Sequence, residues 1–289
     1  MAERRVGLLG ATSLVGSLLL PLLARAGWQV EAFSRCEPSS ESAGVTWRIL
    51  PSGRLPQGGE KTEYWICVAP IWVLPQYFDL LEACGARRVV ALSSTSLFTK
   101  GDSSDSGEQA IAVRLATGEG ALHAWSEAKG VEWVILRPTL IYGCGRDRNI
   151  AEMARFMRRF GFFPLLGRAG GLRQPVYAED VASACLAALV SPQAKNRAYN
   201  LSGGETLSYR DMASRVFVAL RRRPMLVMVP LWAFRLVLVL MRLLPRYRHW
   251  SAAMAERMNR DLVFDHADAE RDLGYVPRAF RLAAKDLPS

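Results

Sequence analysis

Gly10-Ala11-Thr12-Ser13-Leu14-Val15-Gly16 follows an apolar run at 5–9 and opens a helical stretch, 13–26, that Gly27 ends. A buried strand, a glycine turn and a helix in direct succession predict a cradle for an anion. The backbone of such a turn comes close to a pyrophosphate, and the first amides of the helix, unpaired and aided by its dipole, point at it. Gly10 serves the tight turn and Gly16 the close packing of helix on strand. Ser13 stands where the commonest form of the turn has its middle glycine. Serine suits the position if its φ is negative, and its hydroxyl then caps the helix. Gly10, Thr12, Ser13, Leu14, Val15 and Gly16 are the expected contacts of a dinucleotide; the alternative is a glycine turn that binds nothing.

Outward from this turn, Trp28–Ser34 reads as the next strand and 45–50 as another. The run 64–69 is short and apolar, and 75–84 is helical and stops at Gly85. Arg88–Leu92 and 131–136 complete the strands, with a helix at 110–129 between them and a Ser-, Asp- and Gly-rich surface loop at 100–109. Strands alternating with helices predict a parallel sheet covered on both faces, an α/β fold of the Rossmann-type doubly wound kind. After Gly143 the pattern loosens. Ile150–Phe160 and 178–189 are helical, 198–201 is a short strand, and the remainder reads as mostly helical. The expected division is a dinucleotide-binding domain at 1–142, with 174–201 packing back onto it. Residues 143–173 and 202–289 then form a smaller, mostly helical substrate lobe, at the end of the sheet where open α/β sheets bind ligands.

The second strand ends in Ser34-Arg35, with no acid at its tip. An acid there would accept hydrogen bonds from the ribose 2′-hydroxyl of NAD, whereas an arginine pairs with the 2′-phosphate of NADP. Ser34 and Arg35 therefore favour NADP, with NAD the alternative; Arg35 also reads as a solvated loop charge. Composition agrees with an anionic ligand without choosing one: 37 Lys+Arg against 27 Asp+Glu give +10. The scattered cysteines have no ligand-like spacing and fit free thiols of a reducing cytoplasm. The histidines form no zinc pattern, so no metal is expected. No zinc finger, RNP-like strand or helix-turn-helix pattern points to nucleic acid. Arg4-Arg5 ahead of the apolar run and Ala24-Arg25-Ala26 imitate a secretory leader, but the glycine spacing is explained by strand, turn and helix.

Several further segments join the glycine turn. They are L-S-S-T-S-L-F at 92–98, I-L-R-P-T-L-I-Y-G at 135–143, R-Q-P-V-Y-A-E-D-V-A at 173–182, Y-N-L-S-G-G at 199–204 and D-L-V-F-D-H-A-D-A-E-R-D-L-G-Y-V-P-R at 261–278. As an ordered set the chain resembles the extended or atypical short-chain dehydrogenase/reductases, the superfamily of nucleotide-sugar epimerases and dehydratases. The resemblance implies that Ala69 and Pro70 lie along the cofactor with Ser93, and that Pro138, Thr139 and Leu140 pass near the nicotinamide. It implies that Ser94, with Thr95 beside it, hydrogen-bonds the reacting oxygen. It also implies that Arg173 holds the diphosphate of a nucleotide-sugar substrate, for which a planar fork is suited; a structural salt bridge is the other reading of Arg173.

One departure is plain. The family places a Y-x-x-x-K pair on the helix between the fifth and sixth strands, the tyrosine moving the proton and the lysine lowering its pKa. No tyrosine stands here between Tyr77 and Tyr142, and no tyrosine of the chain has a lysine four residues on. Arg114 on that helix offers a positive charge near the cofactor, and Tyr142 with Arg146 copies the spacing outside the helix.

Residues 212–255 hold eight arginines and no acid. Within the apolar stretch 225–245, Pro230 and Pro245 bracket an expected helix at 231–244, short for a membrane span. It reads as a substrate-lobe helix or homodimer contact, or as a peripheral membrane contact drawn to anionic lipid. Two functions follow. One is an NAD(P)-dependent oxidoreductase, epimerase or dehydratase acting on a nucleotide sugar or similar carbonyl or hydroxyl compound in the cytoplasm. The other is a catalytically atypical scaffold or redox sensor that keeps the dinucleotide, with a membrane surface as one setting for it.

Overall fold

The structure, a computed structural model, describes residues 4–35, 44–50, 61–230 and 252–288. The chain begins β1 (Arg4–Leu9), α1 (Leu14–Arg25), β2 (Trp28–Ser34), β3 (Val45–Ile49) and β4 (Tyr64–Cys67). A 3-10 segment, Ile71–Tyr77, leads into α2 (Phe78–Ala83), β5 (Arg88–Leu92), α3 (Ser96–Thr99), α4 (Ser106–Lys129) and β6 (Glu132–Pro138). Then come β7 (Ile141–Tyr142), α5 (Ile150–Phe160), β8 (Phe163–Leu166), β9 (Leu172–Arg173), β10 (Val176–Tyr177), α6 (Ala178–Val190) and β11 (Arg197–Leu201). The described chain closes with β12 (Leu207–Ser208), α7 (Tyr209–Ala219), β13 (Leu226–Val229), α8 (Ala252–Asn259) and α9 (Ala267–Leu273).

The central sheet runs β11-β6-β5-β4-β1-β2-β3, and every pairing in it is parallel. Its inner strands are apolar runs because both faces are covered. On one face Leu8, Val30, Ile66, Val90 and Val134 meet α1 and α6. On the other, Leu9, Phe33, Trp65, Val89 and Ile135 meet the 3-10 segment, α2 and α4. Gly7 is glycine because Trp65 lies across it: a Cβ there would meet the indole ring at 2.4 Å. The strand order reverses between β1 and β4, and the crevice at their carboxyl ends is where such sheets take ligands. A third core, around Met157, Leu165, Phe217 and Phe280, fills the lobe beyond that crevice.

Several expectations need correction. α4 begins at Ser106 rather than near 110, because Asp105 accepts from the amides of Gly107 and Glu108 and caps it. The helix expected at 75–84 is 3-10 through Tyr77, where Pro75 has no N–H for a regular ladder, and α-helical only from Phe78. The lobe carries short strand pairs beside its helices, β9 with β12 and β8 with β13, and β7 pairs with β10 where the sheet domain meets it. β13 occupies the start of the apolar stretch 225–245, ahead of Pro230, and the helix expected at 231–244 falls outside the described residues. Among the described residues no helix is long and apolar enough to cross a membrane.

Candidate functional site

The turn between β1 and α1 has the geometry its glycines dictate. Gly10 sits at φ +85°, and a Cβ on it would come 2.6 Å from the Ala69 amide nitrogen of the neighbouring strand end. A Cβ on Gly16 would lie 2.3 Å from the Gly10 carbonyl oxygen. Ser13 has φ −67°, as a serine at the middle position needs, and its Oγ accepts from the Gly16 amide at 3.0 Å. The Leu14 and Val15 amides, one turn too early for the helical ladder, face the crevice end of α1. This cradle fits a dinucleotide pyrophosphate: two glycines let the backbones close up, and unpaired N–H groups with a helix dipole stand at the opening.

A cleft of about 1030 Å³ starts at Ser13, Leu14 and Val15 and passes Ala69 and Pro70. It continues between Ser93–Thr95 and Pro138–Leu140 and ends in the lobe at Arg173 and Tyr209. Five of the expected residues do not line it. Gly10 and Gly16 act through backbone shape, and Thr12 is exposed on the turn, where its carbonyl accepts from Arg146 at 3.0 Å. Ser34 is buried at the tip of β2, its carbonyl accepting from the Leu50 amide. Arg35 follows it, exposed; since Leu9 pairs with Phe33, it stands beside the glycine turn.

The hydroxyls after β5 are not equivalent. Ser93 donates to the Glu119 Oε1 at 2.5 Å, and Thr95 donates to the Pro138 carbonyl at 3.3 Å. Ser94 Oγ accepts from the Ser96 amide at 3.1 Å, which leaves its proton for a ligand. Behind them Glu119 of α4 takes the Arg137 guanidinium of β6 on both oxygens, at 3.0 and 2.5 Å, with Arg137 over the Phe98 ring. Neither Glu119 nor Arg137 stood out in the sequence, where 18 residues separate them and no periodicity links them.

The face that α4 turns to the cleft carries Glu108, Ile111 and Leu115. Glu108 is paired with Arg257 at 2.7 Å and Lys100 at 3.7 Å. Arg114, expected near the cofactor, is exposed on α4 and does not line the cleft, because the helix turns Leu115 there instead. Tyr142 and Arg146 do not act together either. Tyr142 is fully buried in the lobe core, its hydroxyl donating to the Arg281 carbonyl, while Arg146 is exposed over the glycine turn. Arg173 is buried and forms no salt bridge among the described residues. It donates to the carbonyls of Leu172, Arg260 and Arg257, and burial pushes its guanidinium down to about 10, still charged at neutral pH.

The family model of the NAD dependent epimerase/dehydratase family matches residues 76–202. Over those residues the chain is similar to that family. Its curated relatives include the mitochondrial NADH dehydrogenase [ubiquinone] 1 alpha subcomplex subunit 9 of Arabidopsis thaliana, 30% identical over 131 residues, 45% of this chain and 31% of that one. Another is the UDP-glucose 4-epimerase of Vibrio cholerae, 22% identical over 202 residues, 67% of this chain and 59% of that one. The chain thus spans between about a third and three fifths of these relatives' lengths. Among solved structures, the UDP-glucuronic acid 4-epimerase from Bacillus cereus in complex with NAD superposes with a TM-score of 0.72 at 14% identity, covering 98% of this chain and 95% of that one. MoeE5 in complex with UDP-glucose and NAD gives 0.70 at 18% identity, covering 96% and 94%. For this epimerase/dehydratase-like chain those two likenesses establish the fold.

Proposed function

We propose that this epimerase/dehydratase-like chain binds a nicotinamide dinucleotide in the β1–α1 cradle and acts beside it on a nucleotide sugar or a similar carbonyl or hydroxyl compound. The cleft carries this reading. At about 1030 Å³ it exceeds what one drug-sized ligand fills, and it leads without a break from the phosphate cradle to Arg173. A bound nicotinamide supplies hydride exchange. The protein's part is binding, orientation and hydrogen bonding. The Leu14 and Val15 amides hold the diphosphate of the cofactor, and Ser94 donates its free proton to the reacting oxygen while Ser93 and Thr95 stay committed to Glu119 and Pro138. Arg173 meets the diphosphate of the substrate from the far wall. Arg35 at the rim selects NADP through its 2′-phosphate; NAD is the alternative, and the solved relatives named above are NAD complexes.

Calorimetric titration with NADP and NAD, followed by product chromatography over a panel of nucleotide sugars, tests this reading. Ser94→Ala is expected to abolish conversion with cofactor affinity unchanged, and Arg35→Asp to shift preference toward NAD. Absence of any dinucleotide binding sinks the proposal as a whole.

A second reading rests on Ile111 and Leu115. They are four residues apart on the helix where the family's tyrosine and lysine stand, and both line the cleft. With apolar side chains there, the chain keeps its dinucleotide as a structural ligand and serves as a scaffold; one curated relative is by name a subunit of a larger assembly. Nucleotide that survives exhaustive dialysis and is never reduced or oxidised across the panel supports this reading over the first.

A further inference from the structure

Away from the cleft, the lobe carries a surface that the proposed chemistry does not use. α5, α7, β8 and β13 pack against one another. At their outer corner Phe160, Phe162, Val218, Met225, Val227 and Met228 are exposed, Val218 at 65% and Met228 at 62%. These residues belong to one patch. The Phe163 amide donates to the Met225 carbonyl, β8 and β13 run side by side, and the rings of Phe156, Phe160 and Phe162 cluster within 6.4 Å. Apolar side chains in such a group, rimmed by charge, mark an interaction site rather than scattered surface.

The rim is of one sign. Residues 153–173 and 212–230 contain nine arginines and no aspartate or glutamate; of these, Arg173 is buried at the cleft and Arg215 is paired with Glu205, so neither belongs to the rim. Arg155, Arg158, Arg159, Arg221, Arg222 and Arg223 are all exposed at this corner. Arg222 fastens it from within, donating to the carbonyls of Met157 and Arg158 at the end of α5. The acids nearest in sequence, Glu152 and Asp211, sit at the opposite ends of α5 and α7.

We infer that this corner docks on an anionic lipid surface, with Phe160, Phe162 and Met228 entering the headgroup boundary and the arginines meeting lipid phosphates. Charge decides the occupant. A second copy would bring like-charged arginine rims together, which is repulsive. Lipid offers both halves of what the patch presents, negative headgroups and an apolar layer beneath them. This goes beyond the proposed activity and does not depend on it.

The test is cosedimentation of the full chain with vesicles of phosphatidylcholine alone and with added phosphatidylglycerol, at low and high salt. Salt-sensitive binding to the anionic vesicles only is expected. Arg221→Glu with Arg223→Glu should weaken it about ten-fold or more, on the order of one favourable contact per cation reversed. Phe160→Ser with Met228→Ser should weaken it at unchanged salt dependence. All these side chains are exposed, and an unchanged thermal midpoint shows that each variant is folded. Equal binding to both vesicles, binding to neither, or binding that survives both pairs of substitutions overturns the inference. So does arginine-dependent binding of an oligonucleotide without vesicle binding, which would make the corner a nucleic-acid surface.

Discussion

A methyl group at position 10 has no space to occupy. Gly10 holds φ +85°, and its added Cβ would press on the backbone of Val68 and Ala69, at 2.6 Å from the nearest atom, rather than on a side chain that can swing away. Left-handed strain and overpacking act together, so Gly10→Ala should cost about 1–3 kcal/mol of stability. The segment it displaces, Ala69–Pro70, also lines the cleft, so dinucleotide affinity should fall with stability. Urea denaturation beside calorimetric titration measures both; a variant unchanged in either quantity contradicts the geometry of the turn. Ser13 shows the other way a residue shapes this site. Its extended backbone and its bond to the Gly16 amide give α1 a cap where a glycine would leave that donor to the ligand.

At the scale of elements, α4 is the member that joins the site to its support. Glu119 on it reaches Ser93 after β5 and Arg137 on β6, so three elements meet on one carboxylate. Glu119 is buried and the Arg137 side chain is 21% exposed, which discounts the usual cost of orphaning a buried charge to about 3 kcal/mol for Glu119→Ala. Glu119→Gln, which can still accept from Ser93, should lose less. Paired urea midpoints check the order, and equal losses would mean that charge rather than shape or the Ser93 bond holds the three together. Much at this scale was legible from sequence: β1, β2 and β5 are buried runs bounded by turn residues, and the glycine spacing encodes the cradle. The start of α4 was not, because the Asp105 cap sits among serines and glycines that read as loop. Nor were β7, β9, β10 and β12, each two residues long and too short to show a period. Fewer than half of the cleft residues before Leu140, those in the turns that follow strand ends such as Ser13, Ala69, Ser94 and Pro138, were expected. The Glu119–Arg137 pair, and the apolar Ile111 and Leu115 on the cleft side, required the fold.

Across the whole molecule, the sheet and the lobe are closed by the last stretch of chain. Arg278 pairs with Asp180 at the start of α6, Phe280 and Leu287 enter the lobe core, and Asp286 is buried between them and the loop after β7. Its carboxylate accepts from the Tyr177 hydroxyl at 2.9 Å, the Cys144 amide at 3.2 Å and the Ala283 amide at 3.0 Å. Burial first, then the bond to Asp286, hold the Tyr177 hydroxyl far above the ordinary phenol range, so it remains a donor at every pH where the protein is handled. Asp286→Ala therefore strands a buried hydroxyl and two amides, and the expected loss is about 3 kcal/mol. The consequence should travel. Cys144 lies two residues before Arg146, whose guanidinium donates to the Thr12 carbonyl on the glycine turn and to Ser17 Oγ. Freeing the loop after β7 should loosen that contact and weaken dinucleotide binding, although Asp286 itself does not line the cleft. Denaturation and cofactor titration of Asp286→Ala, with Arg146→Ala as a partner in a double-mutant cycle, test the path: non-additive losses in affinity are expected. Losses that add, or a stability loss with affinity intact, would mean that the closing stretch steadies the lobe alone and leaves the cradle to its glycines.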